Sequence, residues 1–369
     1  MRIAACLVSA LALTAALAAA APLVLTPTPA QAQVQTQAEA SARPAYTAAQ
    51  FFETTSYGMT APGGLTFSPD GRHILISSDA TGVFNAYAQP VEGGAPVALT
   101  RSTDVATFAR SYFPHDGRIL VTADSGGGGS ELTHVYVRET DGSLRDLTPG
   151  DAVKADFVGW SQDRSVFWIT SNARNPQVFD IYAVDPTSYE RRRIFENPGM
   201  FPSGGSPDGR WLALTRPITS ANSDVYLVDL NAETPEPRLI TEHQGDIAYD
   251  VYGFTPDNQG LILATNEHGE WNQAWRYDLA SGQSTPLIQA DWDVMFVSFS
   301  PSGRYRVSAV NADASTEMTL LDTATGRPVT LSGLPDGDIG GVRFNADESR
   351  IAFTVASDTS PSDVFTADL

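Results

Sequence analysis

The chain has 369 residues and carries 23 lysine and arginine residues against 43 aspartate and glutamate residues, a formal net charge of −20. A surface this acidic repels phosphates, which argues against a nucleic-acid partner and against binding to anionic lipid. The one cysteine, Cys6, lies in the first apolar segment, so disulfide bonds, thiol catalysis and cysteine-ligated metal are excluded for the exported part of the chain.

The first 50 residues have the composition of an export signal and a linker. A positively charged start precedes an Ala/Leu-rich stretch from Ile3 to about Ala21, and a small-x-small motif ends at Ala32. This pattern predicts a signal peptide at 1–32, although an uncleaved membrane anchor has the same apolar length. Residues 33–50 are polar and are predicted to form a disordered leader. We therefore expect a periplasmic or secreted protein without a membrane span after cleavage.

From residue 60 onwards one sequence unit returns seven times. Each unit has an aromatic-ended apolar stretch, a turn rich in Ser, Pro, Asp and Gly, a β-branched run, a polar loop and a stretch of the type Asp-x-Tyr. The turn reads SPDGR at residues 68–72 and again at 206–210. A period of 45–49 residues is typical of β-propeller blades and not of helical solenoids. The residues that mark the seven turns are Asp70, Asp116, Asp163, Asp208, Asp257, Ser302 and Asp347.

The stretches within each unit have the length and composition of β-strands. The second stretch is a continuous apolar run, as in ILISS after His73, which predicts a strand buried on both faces. The third stretch alternates, as in DIYAV from Asp180. Four such strands with short connections fill about 45 positions and leave no room for a crossover helix. We predict an all-β fold, a seven-bladed β-propeller of four-stranded antiparallel blades over residues 51–369.

The seventh blade is predicted to be short of its outer strand, because the sequence stops at Leu369 directly after the third stretch. Residues before Tyr57, such as the FFETTSYG stretch from Phe51, would supply that strand in one interpretation. In the other, the sequence is the front part of a longer polypeptide.

Five segments carry a resemblance to a known family: FFETTSYG, PDGRHILISSDATGVFNAYAQPV, ELTHVYVRETDG, ADWDVMFVSFSPSGRYRV and LPDGDI. With the turns, they make residues 46–369 resemble the N-terminal propeller of exported bacterial peptidases of the prolyl oligopeptidase family, such as dipeptidyl and acylaminoacyl peptidases. The resemblance implies a propeller that admits short peptides to a following α/β-hydrolase domain with a Ser-Asp-His triad. The sequence departs from the family pattern because it contains no Gly-x-Ser-x-Gly motif, so no catalytic residue is carried over.

The leading hypothesis is therefore a substrate-gating, non-catalytic propeller of a prolyl-oligopeptidase-type serine peptidase, with the catalytic domain absent from this chain. Such a chain is expected to be inactive alone, and its partners would be a peptide substrate and a hydrolase domain. The alternative is a stand-alone periplasmic propeller, similar to TolB, that binds or scaffolds a protein partner. A propeller enzyme with its own active site in the channel is a third possibility.

Partner or ligand contacts are expected on one face of the propeller. In an up-and-down blade, the loop after the second strand and the loop into the next blade emerge together, and the Asp-Gly turns emerge on the opposite face. The first set of loops is longer and carries aromatic side chains, and two acids that open blade six have a spacing suited to calcium or to acid and base catalysis. The candidate residues are Phe84, Asn85, Phe179, Glu267, His268, Glu270, Trp271, Asp291 and Asp293.

No metal ion and no cofactor are expected. The five histidines are not paired at the spacing of metal ligands. The glycine run from Gly126 to Gly129 joins two strands of one blade and does not lead into a helix, so it predicts a hairpin and not a phosphate-binding loop.

Overall fold

The computed structural model describes residues 47–358 and 360–369. The signal peptide predicted at 1–32 and most of the leader predicted at 33–50 lie outside the described residues.

Two units follow each other along the described chain. Ala48–Phe52 form a five-residue helix, α1, in the first unit, and the second unit is Glu53–Leu369. The second unit contains seven antiparallel sheets, six of four strands and one of three. The predicted seven-bladed propeller with a shorter seventh blade is thus confirmed. Within the described residues, no helix is long and apolar enough to cross a membrane.

Each blade takes its strands in chain order. The first four blades comprise β1–β4 (Tyr57–Met59, His73–Ser78, Asn85–Pro90, Val97–Ala98), β5–β8 (Thr107–Tyr112, Ile119–Asp124, Thr133–Arg138, Leu144–Asp146), β9–β12 (Ala155–Trp160, Phe167–Ser171, Asp180–Val184, Arg191–Phe195) and β13–β16 (Phe201–Gly205, Trp211–Thr219, Asn222–Asp229, Arg238–Leu239). The last three comprise β17–β20 (Tyr249–Phe254, Gly260–Thr265, Gln273–Asp278, Ser284–Ile288), β21–β24 (Val294–Phe299, Tyr305–Ala312, Ser315–Asp322, Arg327–Pro328) and β25–β27 (Asp338–Phe344, Arg350–Ser357, Ser360–Asp368).

The first strand of each blade lies innermost. First strands of neighbouring blades, such as β13 and β17, contact one another, whereas the principal contacts of the fourth strands are with the third strands of their own blades. The first strands therefore surround the central channel, and the fourth strands form the outer rim.

The hydrophobic core consists of layers between adjacent blades. Between blades two and three, Leu120 and Val135 pack with Phe157 and Phe167 in one buried cluster. The continuous apolar runs of the second strands fit this arrangement, because each blade is covered on both faces by its neighbours. Strand β18, for example, is buried along its whole length.

The repeated Asp-Gly turns are held by side-chain hydrogen bonds. In the first blade, the Ser68 hydroxyl donates to Asp70 Oδ1 (2.6 Å), and the backbone N–H of Arg72 donates to the same oxygen (3.1 Å). In the third blade, hydrogen bonds from the Ser165 backbone and from two serine hydroxyls lower the pKa of the Asp163 carboxyl to about 2. The Ser-x-Asp pattern therefore stabilises the turns.

A polar side chain at the start of the third strand fixes the connection to the next blade. In three blades its oxygen accepts a hydrogen bond from a backbone N–H in that connection, at distances of 2.6–2.9 Å. These acceptors are buried, so each bond also satisfies a backbone group at the blade boundary. The acceptor and donor residues are Asn85 and Ser102, Asp180 and Asn197, and Gln273 and Ala290.

Blade seven has three strands in the described part of the chain, and side-chain contacts with blade one close the ring. Strand β1 pairs with β2, so residues 57–59 are the innermost strand of blade one and do not supply an outer strand for blade seven. Ala352 and Val364 pack against Phe67 in one apolar cluster. On the surface, Arg350 Nη1 contacts Glu92 Oε1 at 2.9 Å.

Candidate functional site: the channel mouth and its loops

The loops before the third strands and the starts of the first strands share one face, which we call the loop face. The backbone N–H of Thr107, at the start of β5, donates to the carbonyl of Phe84 (2.8 Å). Between blades five and six, Val294 N–H donates to Asn272 O (2.8 Å). The Asp-Gly turns lie at the other ends of the first strands, on what we call the turn face.

An alternating ring of exposed side chains surrounds the channel on the loop face. Each first strand from β5 to β25 has one exposed residue within its first two positions. Apolar and acidic side chains alternate from blade to blade in this set, and the apolar ones include Phe201, at 65% exposure. We call the set the mouth ring: Phe108, Asp156, Phe201, Asp250, Met295 and Asp338.

The three carboxylates of the mouth ring are mostly free of basic partners. Asp156 Oδ2 lies 3.3 Å from Arg110 Nη2, an ion pair between the first strands of blades three and two. Asp250 and Asp338 form no ion pair with another described residue; each accepts a backbone N–H, Asp338 from Thr316 at 2.7 Å. The mouth therefore has a negative potential next to exposed apolar side chains.

Predicted contact residues of blade five form a compact cluster next to this ring. The Tyr249 hydroxyl donates to Glu267 Oε2, and His268 Nε2 lies 3.4 Å from the same oxygen. Burial, followed by the hydrogen bond to Glu267, raises the pKa of Tyr249, so the phenol remains a donor at neutral pH. The His268 ring lies over Trp275, with 4.1 Å between ring centroids. Tyr249 directly precedes Asp250 of the mouth ring in β17.

Two tryptophans extend the cluster towards blade six. The rings of Trp271 and Trp292 are 5.2 Å apart, and 37% of Trp292 is exposed. Asp293 Oδ1 accepts the backbone N–H of Asn272 (2.7 Å), so this carboxylate holds the loop, whereas Asp291 is exposed. Glu270 is also exposed, at the tip of the hairpin. We call Glu267, His268, Trp271 and Trp292 the blade-five patch.

The remaining predicted contact residues have different surroundings. Phe84 packs against Phe108 of the mouth ring, with ring centroids 5.1 Å apart. Asn85 is 1% exposed, and its Oδ1 accepts hydrogen bonds from the Thr100 hydroxyl and the Ser102 backbone N–H. Phe179 is half-buried in the corresponding loop of blade three, and its carbonyl accepts a hydrogen bond from Asn197 Nδ2 (2.9 Å). The structure thus brings Phe84 to the mouth and places Asn85 in the interior.

A loop of blade one lies inside the channel. Strand β1 ends at Met59, opposite Ile76, and pairing with β2 resumes only at Phe67, so residues 60–65 leave the sheet. Gly63 forms a parallel bridge with Gly159, in the first strand of blade three. The segment thus pairs with the first strand of blade three and not with the sheet of its own blade.

Neighbouring blades hold this channel loop in place. Leu65 N–H donates to Ser111 Oγ (2.9 Å), and Tyr112 N–H donates to Leu65 O (2.8 Å), both in blade two. From blade seven, Arg343 Nη2 donates to Thr60 O (3.3 Å). Desolvation lowers the pKa of Arg343 to about 10, so the guanidinium stays charged at neutral pH. The first strands of blades seven, two and three are therefore linked through one segment.

Most residues of the mouth ring occupy one fixed position in the sequence repeat, although they belong to no local motif. Four members, Asp156, Phe201, Asp250 and Met295, precede the marker residue of the next Asp-Gly turn by seven positions. These four residues are found by comparing the same position of each repeat, seven residues before the turn marker. A search for local sequence motifs does not find them.

A cleft on the turn face and the search for metal-binding clusters do not add a ligand site to those on the loop face. A cleft of about 660 Å³ lies on the turn face between blades three and four, where Trp168 and Asp163 contribute to its walls, but the Asp163 carboxylate is occupied by turn hydrogen bonds. Among residues 47–358 and 360–369, no group of three or more His, Cys, Asp or Glu side chains is arranged to hold a metal ion.

Comparison with known families places this architecture. Residues 100–369 match the prolyl oligopeptidase N-terminal β-propeller domain. The chain belongs to the prolyl oligopeptidase family. It is 29% identical over 290 residues to dipeptidyl aminopeptidase BIII from Pseudoxanthomonas mexicana, an alignment that covers 75% of this chain and 37% of that protein. This prolyl oligopeptidase propeller therefore spans well under half the length of that relative.

Solved structures share the fold at low sequence identity. A prolyl endopeptidase superimposes with a TM-score of 0.63 at 16% identity, over 86% of this chain and 48% of the other. An oligogalacturonate lyase in complex with manganese gives a TM-score of 0.64 at 13% identity, over 86% and 91% of the two chains. At such identities, the likeness supports the propeller fold and leaves the chemistry of the site to this chain's own residues.

Proposed function

We propose that this prolyl oligopeptidase propeller binds short peptides at its loop face and admits them to a serine peptidase catalytic domain. The observation that carries the proposal is the mouth ring, with large apolar side chains and carboxylates exposed together where the channel opens. Exposed apolar patches bordered by polar groups mark binding surfaces in soluble proteins. The blade-five patch adds two tryptophans in contact with each other, a side-chain type enriched in interfaces.

The channel loop supports a specific form of this proposal. Because residues 60–65 bridge the first strands of blades one and three, a peptide entering at the mouth meets backbone inside the ring. We therefore propose that peptides are held at the mouth and are not threaded through the whole propeller. On this proposal the mouth ring binds short or extended chains in preference to folded proteins.

Hydrolysis itself is assigned to the catalytic domain. The sequence has no Gly-x-Ser-x-Gly motif, and the proposed role of these residues is to bind and orient the substrate. The similarity to a dipeptidyl aminopeptidase supports substrates from which dipeptides are released. A peptide pre-bound near the catalytic groups would react faster because the entropy of its positioning is already lost.

Peptide binding to the purified chain tests this function. Fluorescently labelled peptides of four to ten residues are titrated with the chain, and their anisotropy is expected to rise with saturation, whereas a labelled folded protein of similar charge is expected to stay free. A Trp271→Ala, Trp292→Ala double variant is expected to weaken peptide binding. Failure of every peptide to bind would contradict the proposal, as would turnover of a chromogenic dipeptidyl substrate that a serine-directed inhibitor blocks.

We also propose that the chain works outside the cytoplasm, on the basis of the signal peptide predicted at residues 1–32. Mass spectrometry of the protein isolated from the periplasm or the medium is expected to find Gln33 as its first residue. A cytoplasmic product that keeps residues 1–32 would contradict export.

A further inference from the structure

We propose that the mouth ring recognises peptides that carry both basic and apolar side chains, a substrate class that deepens the proposed function and rests on it. The alternation of three carboxylates with three large apolar side chains is the basis of the inference. A purely apolar mouth would favour any hydrophobic peptide, and a purely acidic mouth any cation. The combination is complementary only to a chain that offers both groups within a few residues.

The charge balance around the mouth points to a cationic ligand. Arg110 neutralises one of the three carboxylates, Asp156, and leaves Asp250 and Asp338 without a basic partner among the described residues. Glu267, in the same blade as Asp250, also has no arginine or lysine partner in the described part of the chain, since its side-chain contacts are with Tyr249 and His268. Carboxylates concentrated around a cleft with apolar walls raise the local concentration of cations.

The apolar groups lie between these acids, which fixes how a peptide would contact them. Met295 of blade six separates Asp250 of blade five from Asp338 of blade seven, and it is 49% exposed. Trp292, three residues before Met295, is also exposed and packs against Trp271. An apolar side chain packed on Met295 and Trp292 therefore places basic neighbours near Asp250 and Asp338, and a lysine or arginine over an indole ring gains cation–π attraction.

The binding specificity of the purified chain tests this inference. Three labelled octapeptides are compared: one of lysine and leucine, one of lysine and serine, and one of glutamate and leucine. The lysine and leucine peptide is expected to bind at least about tenfold more tightly than either of the others, because each of them lacks one class of contact. Its affinity is expected to fall between 50 and 500 mM salt, which screens exposed charges.

Matched variants locate the effect. Asp250→Asn with Asp338→Asn removes two charges while keeping the Oδ1 acceptors, and it is expected to weaken the lysine and leucine peptide about tenfold. Asp141→Asn with Asp347→Asn makes the same charge change on the turn face and is expected to leave the affinity within twofold. Circular dichroism melting of both double variants checks that they are folded.

The outcomes separate this inference from the function on which it rests. If all three peptides bind equally, the inference is overturned and peptide binding at the loop face stands. If the turn-face pair weakens binding as much as the mouth pair, the inference is overturned together with the assignment of binding to the loop face. If no peptide binds to the parent chain, the proposed function fails and the inference fails with it.

Discussion

Replacing Gly64 by alanine tests whether the channel loop is packed as described. A Cβ atom at this position would lie 2.0 Å from the Arg110 carbonyl oxygen and 3.1 Å from that of Ala61. Both obstacles are backbone atoms, so no side-chain rotation can relieve the overlap. The loop must move by about 1 Å or more to restore van der Waals contact, and such a movement breaks its bonds to blade two.

The expected cost follows from these contacts. Overpacking of a closely packed site costs about 1–3 kcal/mol. The bonds from Leu65 N–H to Ser111 Oγ and from Tyr112 N–H to Leu65 O contribute about 0.5–1.5 kcal/mol each when they are lost. We therefore expect Gly64→Ala to lower the free energy of unfolding by about 3 kcal/mol. Gly63→Ala, with Val158 O at 2.3 Å, is expected to behave similarly.

Urea unfolding monitored by tryptophan fluorescence measures this difference, and Gly58→Ala is the matched control. Gly58 lies in β1, a few residues earlier, and a Cβ there would meet nothing within 4 Å. Its replacement is expected to change the free energy of unfolding by less than about 0.5 kcal/mol. Equal stability of the Gly64→Ala and Gly58→Ala proteins would refute the placement of the loop inside the channel.

Three further predictions concern the blades and their closure. Asn85→Ala is expected to destabilise the fold by about 1–3 kcal/mol and to leave peptide affinity unchanged, because the Ser102 N–H loses its buried acceptor; weaker peptide binding at full stability would contradict this. The pKa of Asp163 is lowered from 3.8 to about 2 in the fold, so its stabilising contribution is complete above pH 4 and is lost as the pH falls towards 2. In acid titrations of stability, Asp163→Asn should therefore have a shallower slope than the parent over that interval, and an identical slope would argue against the turn role. At the ring closure, Phe67→Ala, which removes the ring packed against Ala352 and Val364, is expected to cost about 3–5 kcal/mol in urea unfolding. Glu92→Gln, which removes an exposed ion pair, is expected to cost less than about 1 kcal/mol, and the reverse order would mean that charge and not packing closes the ring.

The architecture was accessible from the sequence because it is periodic. The Asp-Gly turns recur with the blades, and runs such as LILAT in β18 are long enough to predict strands that are buried on both faces. The missing outer strand of blade seven followed from the same count. Local pattern and global fold agree in these elements, which is the condition under which prediction from sequence succeeds.

The channel loop was not predictable in this way, because its partner is distant. Gly63 pairs with Gly159, and nothing in the local sequence distinguishes this pairing from an ordinary turn at two adjacent glycines. Asn85 shows the same limit on the loop face. Its position predicted exposure, but its amide is used to hold the connection to the next blade, a role that depends on Ser102 and its surroundings.

Photo-crosslinking of a bound peptide tests the central claim most directly. A lysine and leucine octapeptide with one benzoylphenylalanine is irradiated with the purified chain, and the modified residues are identified by mass spectrometry. We expect adducts on Met295 and Trp292, which are exposed at the channel mouth. Adducts confined to the turn face, for example around Trp168 in the cleft between blades three and four, would contradict peptide binding at the loop face.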